Sequence, residues 1–97
     1  MTFKYHPEAV NDLLSSAEYY ESKSSGLGEV FIIEVERAIG LIIESPDSGS
    51  PVAFNNRMYL LKRFPFGIIY STSGSTIKIN AVMHLRRKPG FWKKRNL

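Results

Sequence analysis

No acidic residue follows Asp47, and no cysteine occurs anywhere in the 97-residue chain. The first absence divides the molecule electrically. Nine carboxylates and three cations lie in the first 47 residues, a net −6, whereas the last fifty hold ten Lys and Arg, a net +10. The overall charge of +4 conceals this split. Ten uncompensated cations create a long-range field that attracts an anion: nucleic acid, an anionic membrane or an acidic protein. The second absence excludes a disulfide framework and Cys-ligated zinc, and it fits a reducing, cytoplasmic setting. The two histidines, His6 and His84, are too far apart in sequence to pair on a metal, and no third ligand cluster joins them. No apolar run approaches ~18 residues, so no membrane span is expected. The N-terminus has no apolar h-region, so no secretory signal is expected either.

The composition, 43% hydrophobic and 23% charged, is that of an ordinary soluble protein and argues against whole-chain disorder. At this length a single domain over residues 1–97 is expected, burying roughly two-thirds of its unfolded surface.

The pattern along the chain predicts six elements. Residues 2–6 alternate around Phe3 and Tyr5 as a short strand. Pro7 suits the first position of a helix, in which Val10, Leu13, Leu14, Ala17 and Tyr20 recur at helical spacing up to about Lys23. The cluster Ser24-Ser25-Gly26-Leu27-Gly28 is a turn. A second helix begins near Leu27 and stops by Ser45, because Pro46 disfavours helical geometry in the residue before it. Its Ala38, Phe31, Ile42, Val35, Ile39, Ile32 and Ile43 fill one arc of roughly 140°. These two helices carry eight of the nine acids, which are assigned to their solvated side. Residues 47–56 form a loop. Strands are expected over 57–62, 66–71 and 76–83, with 71–75 as a hairpin connection. Pro89-Gly90 then ends regular structure and leaves a basic tail. The order β-α-α-β-β-β defines an α+β sandwich, an αα-hairpin on one face of a mainly antiparallel four-stranded sheet.

No dinucleotide fingerprint, nucleophile motif or metal cluster is present, and no cofactor or metal is expected. Gly26-x-Gly28 lacks both the third glycine and the preceding strand, and it reads as a helix–helix turn. The chemistry lies with the cations. Arg57, Lys62, Arg63, Lys78, Arg86 and Arg87 project from strands and tail. A basic, partly aromatic surface can hold a phosphate backbone. With His84 as proton carrier, it could also cleave RNA by general acid–base catalysis. A lone histidine at a strand end is more often a structural hydrogen-bonding residue than a catalyst. The stretch from Arg86 to Arg95 adds Lys88, Lys93 and Lys94 to the cations, and no acid lies nearby in sequence to pair them. Phe91-Trp92 admits two readings: an exposed contact surface, or an aromatic that folds back onto the core, where one large ring contributes ~1.5–3 kcal/mol.

The segments Arg57…Lys62-Arg63-Phe64-Pro65-Phe66-Gly67-Ile68-Ile69-Tyr70 and Ile79-Asn80-Ala81-Val82-Met83-His84-Leu85-Arg86-Arg87-Lys88-Pro89-Gly90-Phe91-Trp92 resemble the RelE/ParE toxins of type II toxin–antitoxin modules. Ala9-x-x-Asp12-Leu13, Tyr19-Tyr20 and Leu27-Gly28-x-x-Phe31 resemble the helices of the same family. The likeness covers nearly the whole chain and implies the fold derived above. RelE-like members are ribosome-dependent mRNA endonucleases, and ParE-like members poison DNA gyrase. A RelE-like reading would assign His84, Arg86, Lys62 and Arg63 as catalytic. However, Gly67 stands where RelE-like sequences carry a strand arginine, and Trp92 stands where they carry a tail tyrosine. Indole has no hydroxyl to serve as acid or base.

The His-x-Arg-Arg-x-Pro-Gly-aromatic-Trp run is closer to ParE-like sequences. That resemblance implies a gyrase-poisoning toxin whose target-binding residues are Arg57, Arg63, Arg86, Arg87, Lys88, Trp92, Lys93, Lys94 and Arg95. It also implies a cognate acidic antitoxin, with which the chain would form a hetero-oligomer. An mRNA endonuclease acting on the ribosome, or a basic nucleic-acid-binding module without toxicity, is the alternative.

Overall fold

The computed structural model describes residues 1–87 and 90–95, apart from the side chain of Lys94. Its elements are β1 (Thr2–Tyr5), α1 (Pro7–Lys23), α2 (Leu27–Glu44), β2 (Ser50–Val52), β3 (Asn56–Leu60), β4 (Phe66–Ser73), β5 (Thr76–His84) and a terminal 3₁₀-helix (Phe91–Lys94). The helix limits are those expected from Pro7, the Gly26 turn and Pro46.

The sheet has five strands, not four, in the order β1-β5-β4-β3-β2. The additional strand is β2, which pairs antiparallel with β3 inside the segment expected to be loop. Pro51 lies in it and lacks an N–H, which is tolerated because β2 is an edge. The sheet is mixed: β2 to β5 are antiparallel neighbours, whereas β1 runs parallel to β5 with Phe3 opposite Ile77 and Tyr5 opposite Ile79. The whole helical hairpin lies between β1 and the rest of the sheet, long enough for a parallel crossover.

Both helices cover one face of the sheet. Ala9, Leu13 and Ala17 of α1 and Phe31, Val35, Ala38, Ile39 and Ile42 of α2 pack on Phe66, Ile68, Tyr70, Ile77, Ile79 and Val82. The arc expected on α2 is the buried one, with Ile32 and Ile43 at its margins. On α1 the expectation fails at Leu14, which is 54% exposed. The buried stripe runs through Ala9, Leu13 and Ala17, and Leu14 lies a further 100° round the helix. Gly28 is where the two helices meet. A Cβ there would lie 2.6 Å from the Ala17 carbonyl oxygen, so only glycine permits the approach.

Glu21, near the end of α1, accepts hydrogen bonds from the amides of Gly26 (2.9 and 3.1 Å) and Gly28 (3.0 Å). It thus caps the start of α2, whose own N-cap glycine has no side chain to do so. These bonds hold its carboxyl below the usual glutamate pKa. His6 caps α1 in a similar way, its Nδ1 accepting from the Glu8 amide at 3.0 Å. Tyr70 is fully buried yet satisfied. Its hydroxyl donates to the Pro46 carbonyl (2.7 Å) and accepts from the Gly49 amide (2.9 Å), which fastens the α2–β2 connection to the sheet.

The opposite face carries a second, smaller cluster: Ile69, Ala81 and Met83, covered by Trp92 with Val52, Met58 and Phe91 beside it. Here the expected irregular tail is corrected. It turns back as the 3₁₀-helix, and Trp92 is 6% exposed.

Candidate interaction surface

The resting point of the tail is set by one carboxylate. Asp12 was assigned to the solvated side of the hairpin, but it is 8% exposed. β1 leaves the sheet after Tyr5, opposite Ile79, and continues into α1. Beyond that point the edge of β5 has lost its neighbouring strand. Asp12 Oδ2 takes up the Val82 amide at 3.1 Å, and Arg95 Nη1 donates to the Asn80 carbonyl at 3.1 Å. Arg95 and Asp12 are themselves joined by two bonds, 2.6 Å and 3.2 Å. The pair therefore completes the hydrogen bonding of an interrupted sheet edge and ties α1, β5 and the terminus together. Arg87 Nη1 approaches Asp12 at 3.7 Å from the outside, and the guanidinium groups of Arg87 and Arg95 both lie over the Phe91 ring, 3.6 Å and 4.8 Å from its centroid.

Two of the residues expected to bind a target are therefore packing groups. Trp92 covers the second cluster, and Arg95 is spent on Asp12. No acid near the tail in sequence pairs its cations, but Asp12 reaches Arg95 from 83 positions away. A charge reversal at Arg87 would disturb this junction as well as the surface. Arg57 is also engaged: it donates to the carbonyls of Gly49 (2.7 Å) and Asp47 (3.3 Å) and lies 3.6 Å from the Asp47 carboxylate, bracing the loop before β2. Lys62, Arg63, Arg86 and Lys93 are exposed. Lys88 lies outside the described residues, as does the side chain of Lys94.

The four residues of the ribonuclease reading do not gather round one cavity. Lys62 and Arg63, in the β3–β4 connection, line a groove with Glu34, Arg37, Leu41 and Tyr59. His84 lines a different one, with Ser16, Tyr19, Tyr20 and Phe66. Its Nδ1 accepts from the Arg86 amide at 3.0 Å, leaving Nε2 as the protonated nitrogen of the neutral ring. Gly67 is buried, and a Cβ on it would meet Met58 Sδ and Cγ at 2.8 Å. A long cationic side chain cannot start there without displacing Met58. Among the described residues no cluster of His, Cys, Asp and Glu could hold a metal.

An αα-hairpin on a mixed sheet, with a basic second half, is the outline of a ParE-type toxin. A family model described as "ParE toxin of type II toxin-antitoxin system, parDE" matches residues 3–89. The chain belongs to that family. A solved structure titled "Chromosomal ParDE TA system from P. aeruginosa" shares the fold, with a TM-score of 0.75 and 19% sequence identity over 87% of this chain and 95% of that one. No curated protein sequence matches.

Proposed function

We propose that this chain inhibits bacterial growth in the cytoplasm by poisoning DNA gyrase, and that a cognate acidic antitoxin neutralises it. The observation that carries the target is the state of the nuclease positions. Gly67 is closed off under Met58, Trp92 is buried without a hydroxyl, and His84 has one ring nitrogen committed to the backbone. A ribosome-dependent mRNA endonuclease needs a positioned acid and base, and these three positions do not supply the pair. The chain instead exposes positive charge at Lys62, Arg63 and Arg86, suited to contact with a large target.

The antitoxin reading rests on the groove along α2. Leu41 and Tyr59 give it an apolar floor, and Arg37, Lys62 and Arg63 rim it with three cations against the single acid Glu34. Leu41, 42% exposed, carries this apolar floor out to the surface, where a partner would cover it. An amphipathic acidic segment that orders on binding fits this surface. Induced expression should stop growth, and co-expression of the antitoxin from the same operon should restore it. Association of the purified pair should slow as salt rises, since screening shortens the field to ~8 Å at physiological ionic strength. Growth unaffected by induction would refute the toxin reading, and association independent of salt would refute the electrostatic account of the partner.

A further inference from the structure

The open face of the sheet holds a cavity of ≈ 150 Å³ between the β2–β3 turn, the middle of β4 and β5, and the terminal 3₁₀-helix. Asn56 and Asn80 form fixed walls. The Asn56 amide donates to the carbonyls of Ala53 (3.2 Å) and Phe54 (3.1 Å), while Asn80 Nδ2 donates to Asn56 Oδ1 (2.7 Å) and Ser71 Oγ (3.2 Å). Because Ser71 Oγ accepts there, its hydroxyl proton is available to another group. Lys78 and Lys93 also line the cavity. Among the described residues neither lysine lies within 4.0 Å of a carboxylate. Trp92 forms part of the wall, and its Nε1 is a buried donor without a hydrogen-bond partner. Among the described residues no acid lines the space; Arg95 lines it too but is paired with Asp12.

An indole N–H buried without an acceptor is costly. That N–H lies inside the wall; the cavity beside it holds a free hydroxyl proton and two ammonium groups without a carboxylate, one of which, Lys93 Nζ, lies 5.3 Å from the centroid of the Phe54 ring. A free hydroxyl donor and two positive charges favour a compact, acceptor-only, multiply charged ligand. A phosphoryl group has that chemistry: three strong acceptor oxygens and a charge near −2. A carboxylate has two oxygens and one charge, and it would leave part of the donor set unmet. Lys4 strengthens the field, since it stands beside Lys78 in the parallel β1–β5 register. Phe54 stands at the rim, 66% exposed, in a left-handed conformation (φ 62°) that a bulky residue seldom adopts. The Asn56 amide holds that turn. The ring stands beside the cavity with Lys93 Nζ 5.3 Å from its centroid, and a base stacked on it would share that ring with the ammonium or displace it.

We propose that this cavity binds a phosphoryl group, either of free phosphate or of a mononucleotide whose base stacks on Phe54. The site is separate from the groove along α2 and does not depend on the gyrase or antitoxin readings, so its test uses the purified toxin alone. Trp92 is the only tryptophan of the chain and reports the site directly. Titration with sodium phosphate or with AMP, at constant ionic strength, should produce a saturable change in its fluorescence; sodium chloride and sodium acetate should not. Lys78→Ala and Lys93→Ala should each raise the dissociation constant by ~10-fold or more, as loss of one charge-assisted contact implies. Unchanged melting curves would establish that both variants are folded. Phe54→Ala assigns the source: weaker binding of AMP alone points to a nucleotide, and equal binding of both ligands to free phosphate. No saturable response to either ligand, an equal response to acetate, or full binding by folded Lys78→Ala and Lys93→Ala would overturn the proposal.

Discussion

Replacing Asp12 by alanine should do more damage than any other single charge removal in the molecule. The Asp12 and Arg95 side chains are 8% and 10% exposed, so both ions have left water. In Asp12→Ala the guanidinium keeps only the Asn80 carbonyl as acceptor, and the Val82 amide loses its partner. Leaving one member of a buried pair uncompensated costs ~3–5 kcal/mol. In a domain of this size each kcal/mol lowers the melting temperature by about 4–8 °C. The expected fall is therefore on the order of 20 °C, a large share of a total stability of ~5–15 kcal/mol. Thermal unfolding followed by circular dichroism measures it. Arg95→Ala should also destabilise, and the double variant Asp12→Ala/Arg95→Ala should cost less than the sum of the single variants, because the second removal relieves the stranded charge. Arg87→Ala is the control: half exposed and 3.7 Å away, it should cost only ~0–1 kcal/mol. Asp12→Ala melting within a few degrees of the parent, or Arg87→Ala costing as much as Arg95→Ala, would refute the view that the tail is locked through this carboxylate.

Val35→Asp, at a position with no exposure, places an unpaired charge in the core and should unfold the domain, visible as loss of the cooperative melt. Glu21→Gln should be less stable than the parent at neutral pH. Because the folded pKa of Glu21 is depressed, its contribution is fully present above the ordinary glutamate value and lost as pH falls through the lower folded one; the gap between the two melting temperatures should close over that window. Arg86→Glu, on an exposed side chain, should leave the melting temperature nearly unchanged and yet reduce growth inhibition; full toxicity would remove Arg86 from the working surface.

The helical half was legible in the sequence because its signals are local. Pro7, the glycine turn and Pro46 mark its limits, and the arc on α2 is set by spacing alone. The three long strands were legible from alternation and turns. What escaped depends on partners far along the chain. Asp12 looks like any acid on an amphipathic helix until Arg95 and the Val82 amide meet it. Its burial follows from where β1 ends, which periodicity does not record. β2 is three residues long, contains Pro51 and lies among turn formers, so its strand character comes only from pairing with β3. The two readings of Trp92 were balanced until the cluster of Ile69, Ala81 and Met83 supplied an apolar floor on the open face. The charge split identified the basic surface, but it could not separate cations committed to packing, Arg57 and Arg95, from those left exposed, Lys62, Arg63 and Arg86.

The most direct test of the functional account compares the two targets side by side. The purified chain is added to DNA gyrase with relaxed plasmid, and, in parallel, to ribosomes programmed with mRNA. Inhibition of supercoiling, relieved by the cognate antitoxin and accompanied by intact mRNA, is the predicted result. Codon-positioned cleavage of the mRNA with supercoiling unaffected would contradict it.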